Sequence, residues 1–123
     1  MSGWRDLDPP GVPLPAPVAE QLADAMFALA TPSRVQILRV LMGGPCDVSE
    51  LVAALGMEQS AVSHQLRILR EHSLIRAERV GRRRVYALSD EQVGVFVEAA
   101  LGHLRYRDAA RPAPGHDADI HTA

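Results

Sequence analysis

The chain has 123 residues, one cysteine and a formal net charge of −2 at neutral pH. That length fits a single domain, and one thiol excludes both an intramolecular disulfide framework and a multi-cysteine zinc module. No apolar run approaches the ~20 residues of a membrane helix, and the N-terminus lacks the basic-then-apolar pattern of a secretion signal, so a cytoplasmic protein without membrane contact is expected.

The ends differ from the middle. Residues 1–17 are crowded with Pro and Gly, and residues 107–123 are polar, Pro-containing and aperiodic. Both are predicted to be flexible tails. The domain between them, residues 18–106, is of a size that often gains stability from an oligomer interface. Charge is also uneven. Between His64 and Arg84 stand seven arginines (67, 70, 76, 79, 82, 83 and 84) against Glu71 and Glu78, so one segment is strongly basic although the sum is acidic.

In chain order, Val18, Leu22, Ala25, Met26 and Leu29 recur at helical spacing and predict a first helix over 18–30. Thr31-Pro32 stops it and starts a second, because threonine caps and proline suits the first helical position. The second helix, over 32–42, carries Val35, Ile37, Leu38, Val40 and Leu41 on more than one face and is expected to be central and buried. Gly43-Gly44-Pro45 ends it. Asp47 with Glu50 three residues on is a variant capping box, and Gly56 supplies a left-handed terminator, so a short third helix is expected between them. A fourth helix follows over 58–72, and the short helix, tight turn and longer helix make a helix-turn-helix. Val62, Leu66 and Leu69 form its inner stripe, with Ser60, Ser63, His64 and Arg67 opposite. The β-prone runs 75–80 and 84–88, separated by Gly81-Arg82-Arg83, predict a hairpin with an arginine-rich tip. Ser89 and Gln92 form a capping box for the last helix, whose stripe is Val93, Phe96, Val97, Ala100, Leu101 and Leu104.

Four helices, a two-stranded wing and a fifth helix make a mainly α fold with a β-hairpin wing (α+β), a winged helix-turn-helix. The runs LATPSR (29–34), VSEL (48–51), QSAVSHQLR (59–67), Leu69-Arg70 and GRRRVY (81–86) resemble the ArsR/SmtB family of winged-helix transcriptional regulators over roughly residues 18–106. The resemblance implies a homodimer joined through the first and last helices. On that reading Leu22, Met26, Val93, Phe96, Val97, Ala100, Leu101 and Leu104 form the interface. It also implies a repressor that leaves double-stranded operator DNA, an inverted repeat, when an inducer binds. The chemistry agrees independently. A helix fits the major groove, where Gln59 or Arg67 can read base edges. Ser60, Ser63 and His64 suit phosphate contacts, and Arg82, Arg83 and Arg84 at a hairpin tip can neutralise backbone charge. The competing reading of the same surfaces is a winged-helix module that binds a protein partner. No nucleophile–base arrangement, phosphate-binding glycine loop or pair of catalytic carboxylates appears, so an enzyme is not expected.

Metal-sensing members of the family carry Asp-x-His, ten residues, His, two residues and then Glu or His on the last helix. Here those places hold Asp90, Gln92, His103 and Tyr106. Residues 92 and 103 lie about 16 Å apart at helical rise, so any site there would join two antiparallel chains. His116, Asp117, Asp119 and His121 of the tail could add ligands. Two readings of this edge stand: an effector site for Ni, Co or Zn at Asp90, His103, His116 and His121, or a polar dimer edge beside an acidic tail. Cys46 stands alone where thiolate sensors of the family place a pair, which argues against an arsenic or cadmium site in one subunit.

Overall fold

Proline sets the start of the first two helices. The computed structural model describes residues 7–110, so residues 1–6 and most of the second predicted tail, with His116 and His121, lie outside the described residues. Helix α1 (Ala16–Ala28) begins after Pro15 and carries a proline in its first turn, where the missing N–H costs nothing. Helix α2 (Pro32–Leu41) is capped by Thr31, whose side chain accepts from the Arg34 backbone N–H. The helical region thus starts two residues before the expected boundary at 18, because the prolines read as tail belong to a helix start.

Helix α3 (Val48–Leu55) opens with both halves of its capping box formed and closes at Gly56 with φ +67°. Helix α4 (Gln59–Glu71) follows after three residues. The chain leaves α4 through Ser73 at φ +59°, with the Leu74 N–H donating to the Leu69 carbonyl, a Schellman-type ending with serine in the usual glycine place. Strand β1 (Ile75–Val80) then pairs antiparallel with β2 (Arg83–Leu88), from Ile75 opposite Leu88 to Val80 opposite Arg83. Only Gly81 and Arg82 remain for the turn, with Gly81 at φ +63°, the two-residue hairpin geometry that requires glycine at its first central position. Arg83 therefore belongs to the strand and not, as expected, to the tip. A bridge between Cys46 and Tyr86 ties the approach to α3 onto β2.

Helix α5 (Glu91–Ala109) is capped by Asp90, which accepts from the backbone N–H groups of Gln92 and Val93. The expected capping box on Ser89 and Gln92 does not form. The Ser89 N–H still donates to the Leu74 carbonyl at the end of the ladder, so the chain is free to turn helical only one residue later. At its other end α5 runs three residues past the expected boundary at 106, since no Pro or Gly interrupts Arg107, Asp108 and Ala109.

The core is built from Ile37, Leu38, Leu41, Leu51, Val62, Leu66, Leu69, Ile75, Tyr86 and Val93. Helix α2 is central, as its pattern predicts: it packs against α3, α4, α5 and β2. Its burial is one-sided, however, for Val35 is exposed. Among the described residues no helix is long and apolar enough to cross a membrane.

Candidate nucleic-acid interface

Helix α4 divides cleanly into two faces. Val62, Leu66 and Leu69 are fully buried, which fixes the rotation of the helix on the core. Gln59, Ser60, Ser63, His64 and Arg67 are then all exposed, as is Arg70 one turn further on. Glu58 at the N-cap makes no side-chain hydrogen bond to the first turn, so N–H groups at that end remain available to an acceptor from outside. The Arg67 guanidinium lies 3.3 Å from His64 Nδ1, so the imidazole is turned toward its own helix face.

The three wing arginines have different surroundings. Arg82 occupies the turn and makes no ion pair among the described residues. Arg84 lies over the Tyr86 ring, 5.6 Å from its centroid. Arg83 folds back on the N-terminus of α3. Its Nη2 stands 2.6 Å from Glu50 Oε1 and 2.9 Å from Asp47 Oδ2, while Nε donates to Asp47 Oδ2 at 3.1 Å. The same carboxylates close the capping box, with Glu50 N–H donating to Asp47 Oδ1 at 2.8 Å and Asp47 N–H to Glu50 Oε1 at 2.9 Å. The Glu50 N–H bond first, and then Arg83, hold the Asp47 carboxyl below its ordinary range. Two acidic groups thus fasten the tip end of the wing to the helix-turn-helix.

A buried and a half-buried polar residue, Arg34 and Gln65, escaped the sequence reading. Arg34 is 7% exposed; its guanidinium donates to the Ala28 and Phe27 carbonyls at the end of α1 and to Gln65 Oε1 on α4, the last at 3.1 Å. The signal was present in the spacing. Arg34 precedes Ile37, Leu38 and Leu41 in one i, i+3, i+4, i+7 stripe, and Gln65 sits between Val62 and Leu66–Leu69 in another. A polar residue in an apolar stripe marks a partner on the neighbouring element.

Of the expected interface residues, Leu22 and Met26 on α1 and Phe96, Ala100 and Leu104 on α5 are exposed, while Val97 and Leu101 are half-buried. Val93 is different: at 8% exposure it belongs to the chain's own core, because the first turn of α5 lies against the body of the domain. It is not available to a second chain. The remaining α5 residues join Leu29, Pro32 and Val35 around an open apolar groove of about 510 Å³.

The two candidate metal residues among the described residues, Asp90 and His103, do not come together within one chain. Asp90 and His103 are both exposed, but the helix residues 91–102 between them hold them about 20 Å apart, and Asp90 Oδ1 is occupied by two cap hydrogen bonds. Among the described residues no group of three or more His, Cys, Asp or Glu could hold a metal ion. Among the described residues the donors of a single chain do not fit a metal ion. Burial, with Glu50 and Asp47 beside it, pushes the Cys46 thiol up against the smaller opposing effect of Arg83. A thiol so raised stays protonated at neutral pH and is a poor thiolate ligand.

Known proteins share this arrangement. Residues 31–77 match the family model described as "Bacterial regulatory protein, arsR family". The chain is 49% identical over 97 residues to the HTH-type transcriptional regulator NmtR of Mycobacterium tuberculosis, covering 79% of this chain and 81% of that protein. It is 41% identical over 90 residues to the transcriptional repressor SmtB homolog of Synechocystis, covering 73% and 68%. In three dimensions it resembles the homodimeric winged helix-turn-helix DNA-binding domain of a possible ArsR-family regulator from Mycobacterium bovis. That structure aligns with a TM-score of 0.66 at 30% identity, covering 78% of this chain and 87% of that one. Helix-turn-helix, hairpin wing and sequence agree on one assignment: the chain belongs to the ArsR family of bacterial transcriptional regulators and, with that family, is not an enzyme.

Proposed function

We propose that the protein is a homodimeric repressor that binds an inverted-repeat operator, with α4 in the major groove and the wing on the flanking backbone. The observation that carries this is the clean division of α4. Three fully buried apolar side chains aim Gln59, Ser60, Ser63, His64 and Arg67 outward as one continuous polar face. Gln59 and Arg67 carry side chains that pair with base edges; Ser60, Ser63 and His64 set register on phosphates. Arg82 and Arg84 supply wing charge to the backbone. Arg83, already ion-paired, positions the wing.

Support for the dimer comes from the exposed apolar side chains of α1 and α5 and from the homodimeric relative. A Ni, Co or Zn effector enters this proposal only through a site shared by two chains, His103 of one near Asp90 of the other. Titration of the purified full-length dimer with each metal tests that part, and no binding at micromolar metal removes it.

The main test is a salt-titrated mobility shift on duplex DNA selected by the parent protein from a random-sequence pool. Arg67→Ala should lose about tenfold or more for the selected duplex, the order of a bidentate base contact. Arg82→Ala should weaken selected and scrambled duplexes alike and flatten the salt slope by about 1. If both variants bind like the parent, α4 and the wing are not the DNA-binding surface. If the parent selects no DNA but captures a protein on these faces, the interaction-module reading replaces this one.

A further inference from the structure

Arg34 is the one charged residue in the core among the described residues, and it makes no ion pair there with a carboxylate. Burying an unpaired guanidinium is costly, so its acceptors carry weight. Two are the carbonyls of Phe27 and Ala28, where the last turn of α1 concentrates the negative end of the helix dipole. The third is Gln65 Oε1 at 3.1 Å, on the same helix that presents the polar face to DNA. Guanidinium geometry makes this a rigid fork: Nε and Nη2 grip α1 while Nη1 grips α4.

The position of the fork matters because α1 is otherwise lightly held. Along its thirteen residues only Val18 and Ala28 are buried, and Leu22, Met26 and Phe27 face outward. Its C-terminal end is fixed by the Arg34 bonds. Gln65 stands between the inward Val62 and Leu66 and the outward His64 and Arg67, so its bond to Arg34 ties α4 to the end of α1 at the border of the two faces.

We infer that Arg34 and Gln65 form a positioning pair that sets the angle of the recognition helix relative to α1, and thereby the fit of the two reading helices of a dimer to their half-sites. The inference rests on the reading of α4 as the DNA-contacting helix. Neither residue needs to touch DNA for this, and Arg34 is too buried to do so. The pair acts by removing alternative orientations of α4. A shift of α1 strips the guanidinium of its carbonyls, so the two helices move together or not at all.

The test is operator binding by fluorescence anisotropy of the full-length parent, Gln65→Leu, Arg34→Lys and the double variant, across a salt series. The probes are the duplex selected by the parent, single-base variants of it, and a scrambled duplex. Circular dichroism and sedimentation check fold and dimer in each case. Gln65→Leu should lose about tenfold for the selected duplex, with an unchanged salt slope and unchanged binding to the scrambled one. The loss should fall on all half-site base pairs alike. Arg34→Lys should lose a similar amount, and the double variant no more than the worse single one, the mark of two residues acting through each other. Should Arg34→Lys fail to fold, the Gln65→Leu profile alone decides. Additive losses, a slope lowered by about 1, a loss confined to one base pair, or parental binding by Gln65→Leu would each overturn the inference while leaving the DNA-binding reading intact. A parent that selects no DNA overturns both.

Discussion

Asp47 does two things with one carboxylate: it caps α3 by accepting the Glu50 N–H, its half of the capping box, and it receives Arg83 from the wing. Individually, exposed ion pairs contribute little; here the other oxygen of the same carboxylate satisfies a helix N-terminus, so the charge acts on an already ordered group. Its folded pKa lies below the ordinary value, with the Glu50 N–H as first cause and Arg83 behind it. The stabilisation is therefore complete above the unfolded carboxylate value, about 4, and disappears as pH falls through the lower folded value. Asp47→Asn keeps a capping oxygen but removes the charge. Its melting temperature should lie below the parent's at about pH 7, with the gap closing as the pH is lowered below the folded value of Asp47. Thermal melts over that range check this; a gap that persists unchanged in acid would show that the charge is not the source.

At the scale of elements, α5 serves two clients. Val93 and Gly94 are buried at its start, with Gly94 seated against Leu88 and Met42. From Phe96 onward the helix leaves the body and exposes apolar side chains, Phe96 at 39% and Leu104 at 43%, along the groove shared with α2. Arg39 and Glu98 pair across the same two helices, holding α5 alongside α2. If that surface is the dimer seam, Leu104→Glu should turn the dimer into monomers at micromolar concentration in sedimentation, with helix content retained because Leu104 lies outside the core. A variant that sediments like the parent would place the seam elsewhere. The amphipathic stripe read from the sequence was real, but spacing alone cannot tell a stripe that packs inward from one that packs on a second chain. Val93 packs inward and Leu104 is left exposed because the helix departs from the domain partway along, a tertiary fact with no local signature. The start of α5 was misread for a related reason: Ser89 is held by Leu74, fifteen residues earlier.

For the whole molecule, the elements whose signals are local were readable in order: caps at Thr31 and Asp47, the terminator at Gly56, the hairpin glycine at Gly81 and the inward stripe of α4. What depended on distant partners was not. Arg83 reads as wing-tip charge until Asp47 and Glu50, more than thirty residues away, are brought beside it; Arg34 and Gln65 read as ordinary helix polarity until they are seen to meet. These long-range polar contacts tie α1 to α4 and α3 to the wing. The most direct test is a hydroxyl-radical footprint of the full-length protein on its selected duplex at physiological salt. Two protected half-sites in inverted orientation, with centres about one helical turn (~34 Å) apart, are the predicted result. A single protected segment, or no protection on DNA that the protein itself selected, would contradict a dimer that reads its operator through two copies of α4.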